Sequence, residues 1–165
     1  MRFFRAMAHW AAMICLVAGA AIVLIQSFWI TYGVFVRYVL GNPDGMVTEA
    51  TALLLVPLAF LGLPWALQGD AFPRVEFLYE RLPSRAAGAV ERIHMAVMTL
   101  VGGFFAVVAV NATISTYRSG ASSSVLDWPE YRFWAPVAFA AIAFVIGALY
   151  RLISGERPPK TEVSE

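Results

Sequence analysis

Charge is what this sequence has least of. Only 14% of its 165 residues are Asp, Glu, Lys or Arg, against about 25% in soluble domains. Between the first and last turns of its long apolar runs there is no Asp, Glu, Lys, Arg or His at all. Such residues line most ion and proton pathways, because charge in a membrane is costly and kept for function, so the chain is a poor candidate for a carrier acting alone. Cysteine is almost as scarce. Cys15 is the single thiol and sits inside an apolar run, which excludes an internal disulfide and fits a packed small residue. The two histidines, His9 and His94, have no ligand spacing, so neither a metal centre nor a haem with axial ligands inside the bilayer is expected.

What is abundant is hydrophobic. Such residues make up 60% of the chain and the mean hydropathy is +0.70. A span needs roughly 20 apolar residues, so the length accommodates four spans with short connections. The reading is an all-α integral membrane protein, one membrane domain over residues 1–165, with spans near 10–36, 47–67, 95–116 and 133–153. Arg2 and Arg5 before an apolar run, with Ala18-Gly19-Ala20 further on, imitate a secretion signal. The run continues to Val36, too long for a signal core, and reads as an uncleaved first span. Trp10, Trp29, Trp134 and Tyr150 fall near span ends, where amphipathic rings favour the headgroup level.

Turns and breaks punctuate these runs. Gly41-Asn42-Pro43-Asp44-Gly45 is a dense turn signal after Arg37. Asp44 or Thr48 can cap the second span, and Glu49 in its first turn suits the positive helix end. Pro57 and Pro64 lie inside that span and invite kinks. Residues 68–94 form the one sizeable polar island. Val75, Leu78, Tyr79 and Leu82 repeat at i, i+3, i+4 and i+7, which predicts an amphipathic interfacial helix over 72–82. Pro83 ends it, and Ser84 caps a helix that rises from Arg85 into the third span. A Ser/Gly-rich connection and Trp128-Pro129 precede the fourth span, and 154–165 reads as a mobile tail.

Orientation follows from the basic residues of short loops. Nine of them flank the N-terminus, the island and the C-terminal side, against Arg37, Arg118 and Arg132 on the other. That places both termini and the island in the cytoplasm.

The candidate residues are therefore structural. Arg37 and Glu49 should meet at the outer interface, directly or through water, although two separately solvated charges remain the plain alternative. Gly102 with Ala106, and Ala143 with Gly147, have the small-residue spacing of packed membrane helices. Asn111, the most polar deep residue, is expected to make an interhelix hydrogen bond. No catalytic, cofactor or metal residue is identified, and nothing points to nucleic acid.

Several pieces, taken in order, carry a resemblance. They are Val36-Arg37-Tyr38-Val39-Leu40, Thr48-Glu49-Ala50, Phe60-Leu61-Gly62, Arg74-Val75-Glu76, Arg81-Leu82-Pro83, and Trp128-Pro129 ahead of a proline in the fourth span. With the four-span layout, they make the chain similar to the small membrane (Q) subunit of tripartite ATP-independent periplasmic (TRAP) transporters over nearly its whole length. Where that family has a Trp and a pair of acids opening the second span, Met46, Thr48 and Glu49 stand here; Phe72 replaces a typical His, and Glu76 an Asp. The resemblance implies a multi-pass protein of the bacterial inner membrane that is no enzyme and needs no cofactor. It implies a scaffold for a large elevator-type membrane subunit, with sodium-coupled uptake of an organic acid or similar solute delivered by a periplasmic binding protein. Membrane lipids complete the partners.

Two other classes stand beside it. A self-sufficient exporter, dimeric and built from four-helix protomers, requires an intramembrane carboxylate, for which Glu49 is the only candidate. A quinone- or haem-linked membrane enzyme requires ligands that His9 and His94, both peripheral, do not supply.

Overall fold

The longest apolar run becomes the longest helix. In a computed structural model, which describes residues 2–42, 45–72 and 84–155, α1 runs over Arg2–Val39. Its 38 residues extend about 57 Å at 1.5 Å each, well beyond a hydrocarbon core of about 30 Å. It therefore starts earlier than the expected span and projects from the bilayer or tilts within it. The second span is stepped. α2 covers Gly45–Leu61 and α3 Leu63–Gln68, with Gly62 between them. The step has a chemical cause. Pro64 has no N–H for the Phe60 carbonyl, and regular bonding resumes with Ala66 N–H to Gly62 O at 3.0 Å. Pro57 stays inside α2, and both prolines face the protein interior.

α4 covers Ser84–Ser119 and α5 Tyr131–Ser154. Four stretches, Phe4–Val39, Gly45–Gln68, Gly88–Ser119 and Tyr131–Ser154, are long and apolar enough to cross a membrane. The fold is all-helical; among the described residues there is no strand, only an isolated bridge between Ser122 and Pro129. Phe72 lies in a bend, not a helix. The rest of the expected interfacial helix, with Arg74, Val75, Glu76, Leu78, Tyr79, Arg81 and Leu82, falls outside the described residues, as does the tail from 156.

The helices do not pack as four equals. α5 is the hub, touching α1, α2, α3 and α4, whereas α4 packs chiefly on α5. The hub role follows from its side chains. Ala140, Ala141, Ala143, Gly147 and Ala148 are all buried, and such small residues let membrane helices approach closely. Three apolar clusters line the hub. Cys15 and Leu61 meet Ala140 and Ala143; Leu67 and Met95 meet Phe144 and Ala148; Ala109 meets Val137 and Ala138. Gly102 seats the Phe144 ring and Gly147 the Leu67 side chain, while Gly33 lets α1 close on Val47. Gly62, by contrast, has open space around its Cβ direction. The outer faces of α1 and α4 stay bare, with Phe28 77% and Leu100 74% exposed.

Candidate functional site

With the spans held by small residues, the polar side chains concentrate in ties at the two ends of the bundle and one in its middle. At the end where α1 finishes and α2 begins, the 120–130 connection is folded into a tight structure. Gly120, at φ +67°, ends α4, and Ala121 N–H returns to Thr116 O at 3.3 Å, closing the helix with a left-handed cap. Ser123 N–H then bonds Trp128 O at 2.9 Å, Glu130 N–H bonds Ala121 O at 3.1 Å, and Asp127 N–H bonds Ser123 O at 3.2 Å. Asp127 takes φ +53°, a conformation that Asp tolerates better than most residues. The turn leaves three consecutive N–H groups pointing one way, and they converge on Glu49. Ser124 N–H donates to Oε1 at 2.9 Å, and Val125 and Leu126 N–H donate to Oε2, each at 2.9 Å. Successive N–H groups in a turn form an anion-binding concavity. Here the anion is a side chain of the same protein.

Glu49 and Arg37 form no direct ion pair here. Both carboxylate oxygens go to backbone donors fixed by the turn, and the Arg37 guanidinium lies 5.8 Å from the Tyr38 ring centre. Three aligned donors that need no side-chain ordering compete well against one long, mobile cation. Trp128 and Pro129 belong to the same structure. Trp128 N–H donates to Ser123 Oγ at 3.2 Å and its ring stacks on Phe133 at 6.1 Å, while Pro129 forms the bridge with Ser122.

At the opposite end, α3 finishes on Asp70, which adopts φ +56° while Ala71 N–H returns to Ala66 O at 2.9 Å. Arg151 of α5 locks this cap. Its guanidinium donates to Leu67 O at 2.6 Å and to Asp70 Oδ1 at 3.1 Å, with the Arg151 side chain only 10% exposed. A cation at the negative end of a helix, bonded to a last-turn carbonyl, is favourable on both counts. Gln68 reaches across to α1, its amide N–H donating to Ala8 O at 2.7 Å and its Oε1 lying 3.1 Å from His9 Nδ1. His9 also faces the Trp65 ring, 6.0 Å away. Phe72 packs edge-on against Phe144 at 6.0 Å.

Arg151→Lys should therefore lower stability by about 1–3 kcal/mol despite keeping the charge, because one ammonium cannot reproduce the two-armed contact. Thermal unfolding in detergent measures it; an unchanged midpoint would mean the lock adds nothing.

Between the ends, Gln26 is only 8% exposed and donates to Thr51 O at 3.1 Å, joining α1 to α2 within the membrane. This is the interhelix bond expected of Asn111. Asn111 instead faces outward from α4 beside an open hollow. It makes no bond among the described residues, because α5 lies on the other side of its helix, where Gly102 and Ala109 are buried. Ala106, half-buried, follows Gly102 by one turn of α4. Replacing Gln26 with Leu should cost about 0.6–2 kcal/mol, the usual range for such bonds in membranes, read as a lower unfolding midpoint of the purified chain.

Gln26, Gln68, Asp70 and Arg151 are not singled out by their sequence pattern. Gln26 stands out only as a polar residue in an apolar run, and Arg151 and Asp70 look like ordinary span-end charges.

Four hydrophobic spans, tied at both ends and across the middle by polar contacts, define a small multi-pass membrane protein whose polar chemistry holds helices together. Among the described residues no three of His, Cys, Asp and Glu gather in a metal-binding group. The family model of the DctQ component of tripartite ATP-independent periplasmic transporters matches residues 28–157. The chain belongs to that family and is a small permease subunit of a TRAP transporter. Neither a curated protein nor a solved structure matches it.

Proposed function

We propose that this subunit is a fixed scaffold. It widens the membrane footprint of a large elevator-type subunit that carries the substrate and sodium sites, and a periplasmic binding protein supplies an organic acid or similar solute. Both termini and the Arg151 lock lie on the cytoplasmic side in this reading, and the Glu49-held turn faces the periplasm, in keeping with the basic-residue count. The supporting observation is the disposition of polar groups. Glu49, Gln26, Gln68 and Arg151 are all committed to holding the chain's own backbone, and broad apolar faces of α1 and α4 are left for neighbours. The independent-exporter reading needs Glu49 as a working carboxylate, and that carboxylate is already filled by three N–H donors.

The experiment is copurification followed by reconstitution. The subunit should copurify with a much larger membrane protein, and proteoliposomes lacking it should fail to take up the solute in a sodium gradient. Full uptake by the large subunit alone would end the scaffold reading.

A further inference from the structure

Among the described residues, a polar face that the fold leaves unused is on α4. Asn111, Ser115 and Arg118 follow at i, i+4 and i+7, so they share one side of the helix over about 10 Å of its length. All three are exposed and, with Ile114 and Ser119, they line an open hollow of about 530 Å³. Ser115 differs from most hydroxyls of the spans. Ser27, Thr31, Thr51, Thr99, Thr113 and Thr116 each donate back to a carbonyl of their own helix. Ser115 makes no such bond, Asn111 has no partner among the described residues, and Arg118 has no ion pair there.

Lipid cannot serve this face. Arg118 lies next to the end of α4 and can reach the headgroups, but Asn111 is seven residues deeper, where an unpaired amide in hydrocarbon is costly. The outward face of α1 provides the contrast, since Leu24, Ile25 and Phe28 are exposed there and suit acyl chains.

We propose that the Asn111–Ser115–Arg118 stripe seats a transmembrane helix of the large permease subunit. That helix presents a hydrogen-bonding group to the Asn111 amide and a carboxylate to Arg118 at the membrane surface. The hollow admits side chains, and the unpaired cation calls for an acidic counterpart. The inference rests on the small-subunit reading above and specifies which face serves it.

The test uses the full membrane complex, with a benzophenone amino acid in place of Ser115 and, separately, Asn111→Leu. Ultraviolet light should join the subunit to the large one through position 115. Asn111→Leu should weaken association about three- to twentyfold, the size of one interhelix hydrogen bond in a membrane. The unfolding midpoint of the isolated subunit should stay unchanged, since Asn111 bonds nothing among its described residues. Cross-linking to lipid alone or to a second copy of this chain, or undiminished association of the variant, would overturn the assignment while copurification kept the small-subunit reading intact. Failure of the wild-type chain to copurify would remove both.

Discussion

Replacing Glu49 with Ala should release the 120–130 turn from the start of α2. The carboxylate accepts from Ser124, Val125 and Leu126 N–H, all at 2.9 Å, and no other acceptor among the described residues takes these donors. Bonds to a charged acceptor contribute about 1.5–3 kcal/mol, and water at the membrane surface recovers part of the loss. A net change of about 1.5–3 kcal/mol corresponds to exchange of the 124–126 amides faster by roughly ten- to a hundredfold, which hydrogen–deuterium exchange on the purified subunit can read. Glu49→Gln is the sharper variant. Its amide places N–H₂ where the carboxylate had an oxygen, so donor faces donor on one side of the site. It should lose most of the protection that Ala loses. If Gln retained wild-type exchange, the negative charge would not be what holds the turn.

The second large effect lies at the α4–α5 contact. A Cβ on Gly102 would come within 2.7 and 2.9 Å of the Phe144 ring and 3.3 Å of Val145 Cγ2. The ring has little freedom to retreat, because it is 6% exposed and packed with Leu67, Met95 and Ala148, with Phe72 against its edge. Gly102→Ala should destabilise by about 1–3 kcal/mol through overpacking, and Gly102→Leu by more. Gly103 is the built-in control, since its Cβ direction is open; Gly103→Ala should be neutral or stabilising by up to about 1 kcal/mol, from helix propensity alone. Unfolding midpoints in one detergent would compare the pair, and equal effects at 102 and 103 would show that the contact is loose.

The spans could be read directly from residue order because the bilayer imposes a length and an apolarity that few other structures satisfy. The Gly102 contact also followed from a local rule, since small residues four apart mark close helix approach. Partner identity was a different matter. Glu49 could be recognised as important, but its partners are backbone N–H groups, and backbone direction in a turn leaves no residue-type signature. The positive φ of Asp70 was hidden for the same reason, with Gly69 beside it as the more obvious cap. Asn111 lies within α4, yet which way it faces depends on where α5 lies, and only the packed structure fixes that. Gln26 stands out in its apolar run by polarity alone, which does not indicate the carbonyl it reaches.

The central position of α5 has a consequence for how the protein is made. Chains emerge from the ribosome N-terminal end first, and α5 is the last of the four spans to appear. Until it does, α1 can dock on α2 and α3, but α4 waits in the membrane without its main support. Its glycine groove, which later seats the Phe144 ring, stays open for that interval. Docking of α4 thus waits for α5, which enters as a keystone between pieces already inserted.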